Sequence, residues 1–341
     1  MRVGILTGGG DCPGLNAVIR AVVLNAEREK IEVIGFLDGW KGVIENSSRR
    51  ISSADVNGIQ SLGGTILGTS RTNPFKEEKR DVPKVLETIR KNKIDCLIVA
   101  GGEDTQGVAF KLSKLGLNIV GVPKTMDNDL SGTDFTFGFD TAVNNAAEMI
   151  DKLHSTANSH HRILVVEVFG RHAGWVALYS GIAGGAHYIL IPESRVLLDE
   201  VAAAIKTRSA KGNDYSIVVV AEGCEFEGMK FAAKTDAFGH KQLKDLAVGE
   251  FVARELERMT GKEARSVVLG HTIRGGAPTA FDRVLATRLG EKAFELAKTG
   301  RFGQMASMKG TEISSVPISE AIGKLKTVPI EFYEAAKILF E

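Results

Sequence analysis

Three cysteines in 341 residues, Cys12, Cys96 and Cys224, are too few and too far apart to staple a fold. They show no CxxC spacing, which argues against a disulfide framework or a zinc site. Small buried thiols in a reducing compartment are the expectation. Charge of one sign is missing too. Lys plus Arg number 43, Asp plus Glu 42, and the formal net charge is +1. The chain therefore lacks the overall basic field by which proteins gather nucleic acid, and any cationic site must be local. No apolar run approaches the ~20 residues of a membrane helix. The opening MRVGILTGGG is shorter than a signal-peptide core and has no cleavage-type site. A cytoplasmic protein that engages neither nucleic acid nor membrane is expected. No repeat, low-complexity tract or proline-rich linker is visible, so composition marks no domain boundary.

What is present is ordinary globular composition, 43% hydrophobic and 25% charged, in a length that suits two domains or one large one. Short β-branched runs recur at Val3–Thr7, Glu32–Phe36, Cys96–Ala100, Ile119–Val122, Ile163–Val168, Tyr188–Ile191, Ile217–Val220 and Ser266–Leu269. Between most of them lie helix-length amphipathic stretches: Leu15–Arg28, Pro83–Lys93, Gln106–Lys114, Val143–Ala157, Asp199–Arg208, Gly249–Met259 and Phe281–Lys298. Pro83 suits a helix's first turn, where no backbone N–H is needed. Continuous apolar strands alternating with helices indicate an α/β fold with parallel sheets covered on both faces. The long helix around Thr141–Asn158 is the best candidate for an element crossing between lobes. In such sheets ligands bind beyond the carboxyl ends of the strands.

Those ends carry chemistry. Gly8-Gly9-Gly10-Asp11-Cys12-Pro13-Gly14 follows the first strand and precedes a helix. It fits a phosphate cradle, and equally a tight βα turn; it is neither GxGxxG nor a P-loop. Arg71, after GGTILGTS, could offset charge on a phosphoryl group or be a surface arginine. Gly101-Gly102-Glu103-Asp104-Thr105 sets two carboxylates after a glycine pair. Carboxylates repel phosphate unless one, Glu103, holds Mg²⁺; the plainer reading is a helix start with acidic first-turn residues. Pro123-Lys124-Thr125-Met126-Asp127-Asn128-Asp129 holds a lysine, a hydroxyl and two carboxylates. One carboxylate can serve as general base toward a hydroxyl. An Asx-type turn explains Asn128 and one Asp, but neither Lys124 nor the other Asp. The second half supplies cations: Arg162 and Arg171 flank ILVVEVFG, Arg265 precedes SVVLG, His271 and Arg274 lie in HTIRGG, and Glu222 ends IVVVA. Together they suit a second anion site for a sugar phosphate; singly, each could be a surface ion pair, and His271 a satisfied core histidine.

Taken together these motifs resemble the phosphofructokinase family. The resemblance runs from GGGDCPGLNAVIRA through GTSRTNP, GGEDT, PKTMDND, SHHRILVVEVFGRHAGW, AEG and GHTIRGGAP to AFDRVLATRLG. It implies two doubly wound parallel-sheet lobes with the active site between them. Residues 1–137 plus about 273–323 would hold the donor and Mg²⁺, and 138–272 plus about 324–341 the fructose 6-phosphate. It implies in-line phosphoryl transfer to the sugar 1-hydroxyl, with Asp127 as the base. Gly9, Gly10 and Arg71 would bind donor phosphates and Glu103 the metal. Thr125, Asp127, Asp129, Phe169, Gly170, Arg171, Glu222, His271 and Arg274 would line the sugar phosphate site. Arg162 and Arg265 would reach the 6-phosphate from a neighbouring subunit, so a homodimer or homotetramer with shared sites is expected.

The donor is expected to be pyrophosphate. ATP-using members usually have glycine at the places of Asp104 and Lys124, whereas the pyrophosphate-dependent branch is charged there. A carboxylate ~4 Å from an ATP α-phosphate would cost about 4 kcal/mol at an effective dielectric of ~20, roughly a thousandfold in affinity. Lys124 would give the departing phosphate a cation. Smaller departures are Glu103 for a common Asp, Phe169 for a common methionine, and His154 at the place of an effector-site arginine. Three rivals remain. An ATP-dependent phosphofructokinase needs Asp104 turned from the donor. A kinase of the NAD or diacylglycerol type leaves GHTIRGG idle. A non-catalytic sugar-phosphate-binding regulatory subunit has no use for Asp127, Asp129 and Arg171.

Overall fold

The computed structural model describes residues 1–195, 197–227, 229 and 247–340; residue 341, the end of the second expected lobe, lies outside them. In chain order the first half runs β1 (Arg2–Thr7), α1 (Leu15–Arg28), β2 (Glu32–Phe36), α2 (Trp40–Glu45), β3 (Ser48–Ile51), α3 (Glu78–Lys91), β4 (Cys96–Gly101), α4 (Glu103–Lys114) and β5 (Ile119–Pro123). Then come α5 (Phe139–His160), β6 (Ile163–Val168), α6 (Trp175–Ala183), β7 (Tyr188–Leu190), α7 (Leu198–Ala210), β8 (Ser216–Ala221), α8 (Val248–Thr260) and β9 (Ala264–Val268). The chain closes with α9 (Ala280–Lys298), β10 (Gln304–Lys309), β11 (Glu312–Pro317) and α10 (Ile330–Ala336).

The strands form two sheets. One has seven strands in the order β11-β10-β5-β4-β1-β2-β3; the other has four, β7-β8-β6-β9. Side-chain alternation explains why the larger sheet is covered on both faces. Val3 and Ile5 of β1, with Cys96 and Ile98 of β4, join α1 and α9 in one core. Leu6, Leu97 and Val99 join α2, α3 and α4 in the other. All three cysteines are buried and unpaired. The helices α1 and α9 meet closely: a Cβ on Gly290 would lie 2.9 Å from the Val18 carbonyl. The smaller sheet packs against α5, α6 and α8, with α7 beside α8. The C-terminal segment returns to it, where Tyr333 donates to the Ile189 carbonyl at 2.7 Å. Among the described residues no helix is long and apolar enough to cross a membrane.

Several sequence expectations need correcting. The larger sheet is not wholly parallel, since β3 and β11 run antiparallel at its two edges. Only Gly310 and Thr311 separate β10 from β11, and a two-residue link can join only antiparallel neighbours. The strands β3, β10 and β11 escaped the sequence reading because SRRI, QMASMK and EISSVP contain few β-branched apolar residues. Helix α6 escaped it because WVALYSGIA is apolar all round and shows no amphipathic stripe. Pro83 is not in a first turn: α3 begins at Glu78, so the proline lies inside the helix. Its ring denies the Lys79 carbonyl an intrahelical donor.

Helix α5 begins beside the loops of the larger sheet and ends at the start of β6. Its first turn is clasped to α9. Asp282, fully buried, accepts from the Thr141 N–H at 2.8 Å and the Thr141 hydroxyl at 2.5 Å. Thr279 caps α9 and donates to Asp140 at 2.5 Å. Each helix start thus supplies caps to the other. Asp282→Ala should destabilise the protein by about 2–4 kcal/mol, because two buried donors lose their acceptor. Burial pushes the Asp282 carboxyl up to about 6 from 3.8. The native state then holds the extra proton between those values, so this group makes stability fall as pH rises from about 4 to 6. Asp282→Asn should abolish that part of the slope in denaturant titrations at pH 4, 5 and 6.

Candidate active site

Register decides which loops meet. Thr7 pairs with Ala100, Ala100 with Val122, and Gly101 with Pro123, so β1, β4 and β5 end level. Their following loops, Gly8–Asp11, Gly102–Asp104 and Lys124–Asp129, therefore lie side by side. In the smaller sheet Val168 pairs with Ala221 and Glu167 with Val268, which sets Phe169–Arg171, Glu222 and the loop to His271 and Arg274 together.

The glycine loop is closely packed. Gly8 N donates to the Ala100 carbonyl at 2.9 Å and Gly9 N to the Ser70 carbonyl at 3.1 Å, which brings Arg71, exposed, to its rim. Gly9 has φ +85°, and a Cβ there would lie 3.3 Å from Lys124 Nζ; one on Gly10 would lie 2.6 Å from Arg274 Nη1. Those two cations fill the space that side chains would need. Lys124 is buried and donates to the Gly10 carbonyl at 2.6 Å. Burial pushes its ammonium down to about 8, against the pull of Asp11 and Asp127. Glu103 and Asp104 form the first turn of α4, and Glu103 accepts from Gly323 N at 3.1 Å. Thus the helix-start reading of GGEDT describes the backbone, while both carboxylates still border the glycine loop's neighbour strand. Gln106, unmarked in the sequence, donates to the Val99 and Val122 carbonyls, each at 3.0 Å, and ties β4 to β5. Its only signal was a polar residue on the buried stripe of α4.

The PKTMDND loop is a real turn with chemistry added. Asn128 has φ +52°, a region Asn tolerates, and accepts from Thr136 N at 3.1 Å. Thr125 accepts from Asp127 N at 3.1 Å. Asp127 is half-buried, and its Oδ1 is sealed from solvent without a hydrogen-bond partner. Burial first, then the charge of Asp129, pushes its carboxyl up to about 6; Arg274, Arg171 and Lys124 pull the other way. Glu222 is likewise pushed up to about 7, by burial and then by Asp127. These couplings join the loops of both sheets in one electrostatic cluster. A carboxylate poised near neutrality beside several cations is equipped to take a proton from a hydroxyl while anionic groups are held close.

Gly170 has φ +142°, and a Cβ on it would lie 2.8 Å from the Ala173 carbonyl. That backbone turn delivers Arg171 toward Asp127. The Arg274 guanidinium lies over the Phe169 ring, 5.0 Å from its centroid, and donates to the Asp11 carbonyl at 2.8 Å. It thereby bridges the two sets of loops. His271 stands edge-on to Phe169 at 5.6 Å and is exposed, so it is no core histidine. Asn145 of α5 donates to the Ile273 and Gly275 carbonyls, each at 3.3 Å, and holds this loop in place.

Arg162 and Arg265 are not brought into this cluster. They lie toward the amino ends of β6 and β9, by strand rise about 20 Å and about 10 Å, respectively, from the carboxyl ends. Both bind Glu263, Arg162 at 2.7 Å. Reading them as strand-end cations alongside Arg171 is therefore wrong within one chain: Arg162 precedes its strand, whereas Arg171 follows it.

The comparisons with known proteins bear on this arrangement. The Phosphofructokinase family pattern matches residues 2–297. The chain is 53% identical, over 348 aligned residues and 100% of both chains, to a pyrophosphate–fructose 6-phosphate 1-phosphotransferase of Amycolatopsis mediterranei. It is 49% identical, over 99% of both chains, to ATP-dependent 6-phosphofructokinase 3 of Streptomyces coelicolor. Among solved structures, the T-state phosphofructokinase of Pichia pastoris is similar with a TM-score of 0.83 and 33% identity, over 94% of this chain and 35% of that one. By fold, by the loops that meet between its two sheets and by descent, this chain belongs to the phosphofructokinase family.

Proposed function

We propose that this chain moves a phosphoryl group from pyrophosphate to the 1-hydroxyl of fructose 6-phosphate, giving fructose 1,6-bisphosphate and phosphate. Relatives named for either donor stand at similar identity, so the donor rests on local chemistry. The observation that carries it is the Lys124 ammonium buried against the glycine loop, with Asp104 on the neighbouring first turn of α4. Lys124 lies where a departing phosphate gains charge, and Asp104 repels the third phosphate that ATP would bring. The segments beside this loop also support a donor without a base: Gln106 and Ala109 are turned into the core, and the Lys111 ammonium sits 5.2 Å over the Phe75 ring.

Asp127 takes the proton of the sugar 1-hydroxyl. That oxygen attacks the near phosphorus of pyrophosphate in line, the bridging P–O bond breaks, and the leaving phosphate keeps the electron pair beside Lys124. Gly9, Gly10 and Arg71 hold the donor. Thr125, Asp129, Phe169, Gly170, Arg171, Glu222, His271 and Arg274 hold the sugar phosphate. Residues 1–137 plus about 273–323 serve as donor lobe, and 138–272 plus about 324–341 as sugar lobe. Mg²⁺ is commonly held by one or two carboxylates together with substrate phosphates; Glu103, on the first turn of α4, would supply one such carboxylate. When bound, the ion neutralises charge on the phosphates. Arg162 and Arg265 act in a neighbouring subunit's site, in a cytoplasmic homodimer or homotetramer.

Three outcomes are expected. Lys124→Gly should cripple pyrophosphate turnover without admitting ATP, because it removes a charge-assisted contact that strengthens in the transition state. Asp104→Gly should admit ATP weakly, and the two effects should be non-additive. Steady-state assays with each donor check this; wild-type turnover of ATP equal to that of pyrophosphate would give the reaction to the ATP-dependent reading.

The pH profile of kcat/KM should be a bell. It rises as Asp127 ionises through about 6, since the base must be charged, and falls as Lys124 loses its proton through about 8. Lys124→Arg should remove the alkaline limb and keep the acid one. A wild-type profile flat from pH 5 to 9 would contradict both assignments.

Mixing Arg162→Ala protein with Asp127→Ser protein should restore part of the activity in hybrid oligomers. Mass spectrometry of the mixture establishes exchange. Exchange without recovered activity would show that the sites are not shared.

A further inference from the structure

The segment Leu325–Val328 has no part in the reaction described above, yet it threads between the loops of the two sheets. Leu325 pairs with Leu130 in an antiparallel bridge, and Lys326 N donates to the Asp129 carbonyl at 2.8 Å. The Lys326 side chain then enters the turn that carries Asp127. Its Nζ donates to Asn128 Oδ1 at 2.9 Å, the Thr133 carbonyl at 3.0 Å and the Asp134 carbonyl at 2.7 Å. Three donors meet three acceptors, so the ammonium is fully used. Burial pushes it down to about 8, and the charges of Asp134 and Asp129 oppose that shift.

The same residue also holds the other lobe. Its carbonyl accepts from Trp175 Nε1 at 2.8 Å, and the Trp175 ring faces the ammonium at 5.6 Å. Two residues on, Val328 N donates to Glu193 at 2.8 Å, and that carboxylate also accepts from Gly174 N at 2.9 Å. Trp175 opens α6, which follows Arg171 by a few residues. Lys326 therefore touches the turn of Asp127 on one side and the element behind Arg171 on the other. Asn128 sits in the left-handed region, so its turn depends on side-chain partners for its shape, and Lys326 binds the same Asn128 oxygen that accepts from Thr136 N.

We propose that Lys326 is a positioning residue for phosphoryl transfer, fixing the turn of Asp127 against the lobe that carries Arg171. This rests on the reading of Asp127 as the base. Lys326→Met keeps most of the side-chain volume and removes all three donors. A base misplaced by ~1 Å loses about 10²-fold in rate, so kcat should fall about 10–100-fold. The dissociation constant for fructose 6-phosphate, measured by calorimetry, should stay within a few-fold. Lys326→Arg, which can still donate to the carbonyls, should recover part of kcat. Trp175→Phe, which cuts only the bond to the second lobe, should lower kcat less. A purely structural role would lower the melting temperature and leave kcat per folded site unchanged. If Lys326→Met fails to fold, Lys326→Gln and Trp175→Phe are read in the same way. Asp127→Ser is measured alongside. Should it remain active, the base reading fails; should it be dead while the Lys326 and Trp175 variants keep wild-type kcat, only the present proposal is overturned.

Discussion

The bond from the Lys124 ammonium to the Gly10 carbonyl, 2.6 Å long and out of water, is the constraint on which the site depends. It joins the loop after β1 to the loop after β5, across the end of β4. Three features make it possible. The strands end level, Gly9 carries no side chain where the ammonium lies, and Asp11 and Asp127 offset part of the desolvation. Lys124 stands three residues before Asp127 in the same loop, so the glycine loop it binds and the Asp127 turn are tied to one another. A charge buried this way costs free energy, which is consistent with a functional rather than a structural need for it.

The environment of Asp127 is assembled from both sheets. Burial, and then Asp129 from within the same turn, raise its pKa, while Arg274 and Arg171 lower it from the other side. Arg274 also donates to the Asp11 carbonyl and covers Phe169. It stays there because Asn145 of α5 grips the backbone on both sides of it. Helix α5 is in turn clasped to α9 through Asp282 and Thr279.

Much of this was legible in the residues. The buried strands β1, β4, β5, β6 and β8 announced themselves as continuous β-branched runs, and most helices as amphipathic stretches between them. Residue types that a turn does not need, such as Lys124 beside two aspartates, marked the site. The edge strands β3 and β11 were not legible, because an edge strand buries one face or less and need not be apolar; β10, internal and mostly buried, was not legible because QMASMK holds no β-branched residue. Lys326 carried no signal at all: it lies 198 residues from Asn128, and a lysine two residues from another, Lys324, looks like any solvated one.

The sequence by itself determined the α/β class, the alternation that covers the larger sheet on both faces, and the set of loops that carry chemistry, because these follow from local periodicity and residue type. Only the tertiary structure decided which of those loops meet. Arg171 and Arg162 flank the same strand and look equivalent in one dimension, yet β6 sends Arg171 toward Asp127 and leaves Arg162 paired with Glu263 at the far end. Strand direction and register, set by burial and backbone hydrogen bonding over long sequence separations, make that distinction. They also decide that Lys326, near the C-terminus, completes the turn that carries Asp127.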